Sequence, residues 1–148
     1  MKIPLRFFGN AGDEEIVVGC RVLTAHVSGT MDFIIDTGSP RTFIGLIDCQ
    51  KLGIKIKAPS DKDVMQWADK KLHIGKTTHP LKLTFIAEED NQEKAKTLNV
   101  GRMDATTDFI TMKGNKDSPS IIGLDFLMIN KMRLCVDGAS KKAWFELQ

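Results

Sequence analysis

The sequence predicts a mainly β fold with one or two short helices. Three observations predict it. Glu15 to Val27 is crowded with β-branched residues (Ile16, Val17, Val18, Val22, Thr24 and Val27), which fit a pleated, half-buried surface. Leu81, Leu83 and Phe85 alternate with Lys82 and Thr84, so they share one face of an extended strand. Clear helical spacing is limited to one short stretch, Phe43 to Leu52.

Taken in order, Ile3 to Phe8 is a short apolar-rich strand, closed by the turn residues Gly9-Asn10-Ala11-Gly12-Asp13. Glu15 to Val27 is the next strand, Ser28-Gly29-Thr30 its turn, and Met31 to Ile35 the second arm of a hairpin. That arm runs straight into Asp36-Thr37-Gly38-Ser39-Pro40. The helix of Phe43 to Leu52 carries Phe43, Leu46, Ile47 and Leu52 as its apolar residues, with Gly53 where a C-terminal cap belongs. Met65 to Ile74 reads as a hairpin around Ala68-Asp69-Lys70-Lys71, and Leu81 to Ala87 as a strand. Glu88 to Lys96 is dense in charge and reads as a loop or an exposed helical turn. Phe109 to Met112 is a candidate strand and Lys113 to Pro119 a polar loop. Ile121-Ile122 is a short buried strand entering Gly123, and Asp125 to Asn130 a short helix. Met132 to Val136 and Lys142 to Leu147 close the chain around the turn dipeptide Asp137-Gly138. No internal repeat, linker or low-complexity segment interrupts this order, so residues 1–148 read as one domain.

Composition narrows the function. A hydrophobic fraction of 42% with 27% charged residues excludes a disordered tail, a collagen-like repeat and a disulfide scaffold. The 21 basic and 19 acidic residues leave a net charge of +2, too little to hold a phosphate backbone, so no nucleic-acid partner is expected. Cys20, Cys49 and Cys135 are far apart and odd in number, with no C-x-x-C pair, and read as buried or free thiols in a reducing compartment. Lys2, Pro4 and Arg6 break up any signal-peptide core, and no apolar run approaches the roughly 18 residues of a membrane helix. A soluble cytoplasmic protein with no membrane partner is the expectation. His26, His73 and His79 lack metal-ligand spacing, and Glu88-Glu89-Asp90 lacks the pattern of a calcium loop, so neither metal nor cofactor is expected. There is no G-x-S-x-G nucleophile elbow and no phosphate loop.

The chemistry concentrates in Phe33-Ile34-Ile35-Asp36-Thr37-Gly38-Ser39, where an apolar strand delivers a carboxylate into a tight turn. Glycine lets such a turn adopt angles closed to other residues and lets a neighbour come close. The Thr37 and Ser39 hydroxyls can bond nearby carboxylate or backbone groups. After Pro40 come Thr42 and the apolar stretch ending in Leu52-Gly53. Far downstream comes Ile121-Ile122-Gly123-Leu124-Asp125-Phe126-Leu127.

This pairing of motifs resembles the retropepsin-like aspartic proteases, the single-domain relatives of pepsin, over most of the chain from Ile3 to Leu147. The resemblance implies an acid-protease half-domain, a closed β-barrel with a flap hairpin and a ψ-loop. It makes 36–39 the catalytic loop, with Asp36 the catalytic acid or base and Thr37, Gly38 and Ser39 its support. Ile122 and Gly123 belong to the ψ-motif at 121–125. It sets the flap at about 64–75, where Ala68-Asp69-Lys70-Lys71-Leu72-His73-Ile74-Gly75 is similar to the family's Ala-Asp-Gly hairpin. Trp67, Ala68, Asp69 and Lys70 then fall at the substrate-binding tip, and Trp67 and Met65 either shape apolar pockets or pack the hairpin onto the body.

The chemistry implied is peptide hydrolysis by an activated water. One ionised carboxylate takes a proton from water while a protonated neighbour donates to the carbonyl oxygen. Close like charges hold one proton on such a pair, which titrates as a unit. The chain has one Asp-Thr-Gly. Asp125 follows the ψ-motif glycine and is read as structural, so the second carboxylate is expected from Asp36 of another copy across a two-fold axis. By the same resemblance Thr37 exchanges hydrogen bonds across that axis and Ser39 holds the outer oxygen of Asp36. The substrate is an extended peptide or unfolded protein held across the dimer cleft.

Two departures stand out. Lys70 occupies a tip position where the family often has glycine, and Ala87 to Thr107 is longer and more charged than a minimal retropepsin needs. The latter reads as a plain insertion, with a specificity loop or partner site as alternatives. The alternative to an enzyme is a catalytically silent module that keeps this fold for dimerisation or peptide binding. A self-processing enzyme is the lesser variant, since the sequence opens on Met1 without an obvious pro-segment.

Overall fold

The computed structural model describes residues 1–57, 63–67, 70–107 and 119–148, with Trp67 and Lys70 described by their backbone alone. The fold is mainly β, and its larger sheet curls into a half-barrel. Its first strands are β1 (Lys2–Phe8), β2 (Glu15–Leu23) and β3 (Ser28–Ile35). Helix α1 (Leu46–Leu52) follows, then β4 (Ile56–Lys57), β5 (Val64–Trp67), β6 (Lys70–Thr77), β7 (Leu81–Glu89), β8 (Gln92–Gly101) and β9 (Asp104–Thr106). The chain ends with β10 (Ile121–Ile122), α2 (Leu124–Ile129), β11 (Met132–Asp137) and β12 (Lys142–Leu147).

Among the described residues the larger sheet runs β10-β3-β2-β7-β1-β12-β11, with β8 added on β7. The curl comes from β2, which pairs with β1 through Glu15–Val17 and with β7 through Arg21–Leu23. The smaller sheet is built on β6, which pairs with β4, β5 and β9. One apolar cluster fills the half-barrel and includes Phe33, Phe85 and Phe145, all fully buried. Each such side chain contributes about 1.5–3 kcal/mol by leaving water. A second cluster, Val17, Ile34, Phe43, Met65, Leu72, Ile74 and Ile121, packs the β5–β6 hairpin onto the strands that carry the Asp36 motif. Met65 therefore packs the hairpin onto the body.

Four local expectations are corrected. The β2–β3 turn is at Thr24–Val27 and not at Ser28-Gly29-Thr30. Thr24 N–H donates to the Val27 carbonyl at 2.8 Å, and its hydroxyl accepts from the His26 and Val27 amides, which closes the turn earlier. Gly29 lies inside β3, where an added Cβ would run into the side chain of Leu52. The helix begins at Leu46, because Phe43 bridges to Ile121 and Ile44 to Ala105 in extended form. The charged stretch Glu88 to Lys96 is neither loop nor helical turn but the top of the β7–β8 hairpin. Asp90 and Asn91 take left-handed angles (φ 51° and 62°) that make a tight two-residue connection matching strand twist. Lys70 is the first residue of β6, paired with Trp67, so it leaves the tip turn for the strand.

Other expectations hold. Gly53 caps α1 in the left-handed conformation (φ 71°). The turn after Asp137 spans 138–141, with Lys141 rather than Gly138 in the left-handed region. Asp137 closes it by accepting from the Ser140 hydroxyl first of all, then from the Ser140 and Ala139 amides, donors that hold its carboxyl below the usual range. The predicted strand Phe109 to Met112 and the polar loop before Pro119 lie outside the described residues. Among the described residues no helix is long and apolar enough to cross a membrane.

Candidate active site

Strand β3 ends at Ile35 because the next residues leave the ladder and fold back. The Ser39 amide donates to the Asp36 carbonyl at 3.0 Å, closing a turn. The Gly38 amide donates to Asp36 Oδ1 at 3.0 Å, which fixes the carboxylate over its own loop. A Cβ on Gly38 would sit 3.1 Å from that oxygen, so glycine leaves the carboxylate room. Asp36 is half-buried and Thr37 is exposed, with its hydroxyl unpaired among the described residues. Ser39 is 2% exposed. Its hydroxyl donates to the Arg41 carbonyl at 2.8 Å and not to Asp36, a correction to the role expected of it. The loop doubles back so tightly that the nearest acceptor for Ser39 is its own outgoing chain.

The downstream motif locks this loop from the other side. Strand β10 pairs parallel to β3, Ile121 with Ile34 and Ile122 with Ile35. The Asp36 amide donates to the Ile122 carbonyl at 3.0 Å, so the residue carrying the carboxylate is itself held by β10. Residues 39–43 then cross over 121–125. Leu124 N–H donates to the Ser39 carbonyl (2.8 Å), and Phe43 and Ile121 exchange amide bonds (3.0 and 2.9 Å). Gly123 lies at the crossing. A Cβ there would stand 2.5 Å from the Arg41 carbonyl oxygen and 2.6 Å from that of Ser39. Thr42 completes the knot, accepting from Gly123 N–H (2.9 Å) and donating to Asp125 Oδ1 (2.7 Å). That Asp125 oxygen also accepts from the Phe126 amide at 2.7 Å. Its carboxylate is thus spent on holding the start of α2.

The structure therefore brings together Asp36, Gly38, Ser39, Ile122 and Gly123. Of the four predicted tip residues, Trp67 and Lys70 form the last described pair of the β5–β6 hairpin. Ala68 and Asp69 lie outside the described residues.

Sequence reasoning missed several participants. Arg41 grips Asp104 Oδ2 through two nitrogens (3.1 and 2.6 Å), and Lys76 of β6 reaches the other oxygen at 2.9 Å. This ties the loop's exit to both β6 and β9. Ser120 joins the Gly45 amide (2.9 Å) to Asp48 (2.6 Å), holding the start of α1 against β10. A charge at long sequence separation carries no local pattern, so neither tie had a signal in the chain. Beside Asp36 opens a groove of about 350 Å³ lined by Glu14, Glu15, Ile16, Ile34, Ile35 and Ile121.

Other chemistries find no comparable support. Burial pushes the Cys20 and Cys49 thiols up to about 12, with Asp32 and Asp48 adding to the first and Asp48 to the second. Neither is a ready nucleophile. His26 and His79, distant in sequence, meet edge to face at 5.0 Å. Among the described residues no three His, Cys, Asp or Glu side chains gather as a metal site. Compared with models of protein families the chain matches none, and no curated protein matches it.

Proposed function

We propose that the chain is a retropepsin-like aspartic endopeptidase, a cytoplasmic enzyme of one domain that works as a symmetric homodimer with one Asp36 from each copy at its active site. The observation that carries this reading is the crossing of residues 39–43 over 121–125 at Gly123. It fixes a half-buried carboxylate at a strand end through backbone bonds on both sides. Catalysis by positioned carboxylates needs this kind of rigidity, since proton transfer demands hydrogen-bond distances.

In the dimer, one Asp36 carboxylate takes a proton from a water. The water oxygen attacks the peptide carbonyl carbon, and the other Asp36 gives its proton to the carbonyl oxygen. The tetrahedral diol then collapses: one of its hydroxyls returns a proton to the ionised Asp36, the proton taken from water passes to the amine nitrogen, and the C–N bond breaks, which leaves the pair with the one proton it began with. Exposed Thr37 meets its counterpart beneath the carboxylates. The β5–β6 hairpin lies over the substrate, bonds its extended backbone and limits water in the cleft.

Incubation with unfolded protein substrates from about pH 4 to pH 7 tests the reading. Wild type is expected to cleave, Asp36→Asn to fold and not cleave, and sedimentation to show a dimer. Full activity in Asp36→Asn would overturn it. A confirmed dimer without cleavage across that range would leave the silent peptide-binding module instead.

A further inference from the structure

Resting on the endopeptidase reading, we infer that the groove beside Asp36 selects a basic side chain, arginine above lysine, next to the scissile bond, and that Glu15 is the residue that selects it.

The register sets the geometry. Val17 pairs with Ile34, and that is the last pair of the β2–β3 ladder. Continuing the same count brings Glu15 level with Asp36, but there β3 has ended, and Glu15 is paired on its other edge, opposite Phe8 of β1. The groove of about 350 Å³ opens where the ladder stops. Val17 and Ile34 face each other on one side of the sheet, Glu15 falls on that side two residues before Val17, and Asp36 follows at the end of β3 to line the same groove. The β5–β6 hairpin packs on that same side, through Val17 and Ile34.

The groove's chemistry is lopsided. Ile16, Ile34, Ile35 and Ile121 give it apolar walls. Its charged residues are all acidic: Glu14, Glu15 and Asp36. Glu14 faces Lys141 at 3.4 Å. Glu15 is half-buried, and among the described residues its carboxylate has neither hydrogen bond nor ion pair. A carboxylate without a partner beside apolar walls is the group here that gains most from a cation. Lysine and arginine fit because they lay an aliphatic stem along apolar walls and carry the charge at the tip. Arginine is favoured because its planar fork meets a carboxylate through two bonds. A bare metal ion is the poorer occupant, since these carboxylates are not gathered into a ligand set.

A peptide series in one frame tests this, with Arg, Lys, Leu or Glu placed in turn at each position flanking the cleaved bond. For wild type the expected kcat/KM favours Arg over Leu by about 10-fold or more at one position, a difference of about 1.4 kcal/mol. Glu15→Gln should lower that Arg-to-Leu ratio toward one, Glu15→Lys should shift the preference to Glu, and added salt should shrink the wild-type ratio. Thermal melts of both variants check folding. Equal cleavage of Arg and Leu peptides by wild type, or a ratio untouched by both variants, overturns the inference and leaves the endopeptidase reading standing. If nothing is cleaved, that reading fails, and anisotropy of the same labelled peptides on Asp36→Asn reads the groove directly. Tighter binding of the Arg peptide that depends on Glu15 supports the groove's selectivity, and equal or absent binding overturns it.

Discussion

The Asp36 loop and the β7–β8 hairpin are both strand ends turned by a few residues, yet they are held in opposite ways. The hairpin is local. Its ladder runs from Leu81↔Gly101 to Glu89↔Gln92, its turn is two residues, and most of β8 faces solvent. The loop is non-local. Its bonds reach from residues 36–43 to residues 121–125 and onward through Arg41 to Asp104. A local element tolerates change because each contact is small and near in sequence. A crossing tolerates little, because one added atom displaces two chain segments. The contrast makes the loop the place where geometry has been fixed at a cost.

Breaking that contrast should give effects in a definite order. Gly123→Ala is the harshest change, since its methyl would meet two carbonyl oxygens at 2.5 and 2.6 Å. It should destabilise by about 3 kcal/mol or more, read as a lost or strongly lowered urea midpoint. Thr42→Val keeps the shape but strips the hydroxyl from Gly123 N–H and Asp125. A cost of about 1–3 kcal/mol is expected in the same measurement, because both partners lose a bond in a buried place.

Next come the thiols, which separate the buried interior from the periphery. Cys20 and Cys49 should resist alkylation in the native state at neutral pH while Cys135, half-buried on β11, reacts. All three should react in denaturant. The sign of the pH effect follows. The unfolded thiols ionise near 9.0 and the folded ones at about 12, so above pH 9 the unfolded state holds fewer protons. Stability should be flat with respect to these groups below pH 9 and should fall as pH rises from there toward 12. The smallest effect belongs to the hairpin. Glu89→Gln weakens the contact with Lys94, which holds the exposed Glu89 carboxyl below its usual range. It should leave the melting midpoint unchanged within error.

The same contrast explains what could be read from the chain. Strands with a clear buried face were legible: Ile3 and Leu5 in β1, and Leu81, Leu83, Phe85 and Ala87 in β7, point into the core as their alternation implies. Gly53 and Asp137 announced their turns through residue chemistry. The charged top of β7–β8 was not legible because both of its faces meet water, so no apolar period marks it as strand. The β2–β3 turn was misplaced because Gly29 serves close packing against Leu52 rather than the turn. At the site, Asp36, Gly38 and Gly123 were visible as a motif pair. Ser39's true partner, the Arg41–Asp104–Lys76 tie and the groove at Glu15 all depend on where separate segments meet, which local pattern does not encode.

The central claim is that activity needs an Asp36 from each of two chains. The most direct measurement mixes wild type with Asp36→Asn at constant total protein, lets subunits exchange, and follows peptide cleavage against the wild-type fraction. A shared pair predicts that activity falls as the square of that fraction, to about one quarter in an equal mixture, because only wild-type pairs hold both carboxylates. A straight-line decline would mean that each chain works alone, and would contradict the account.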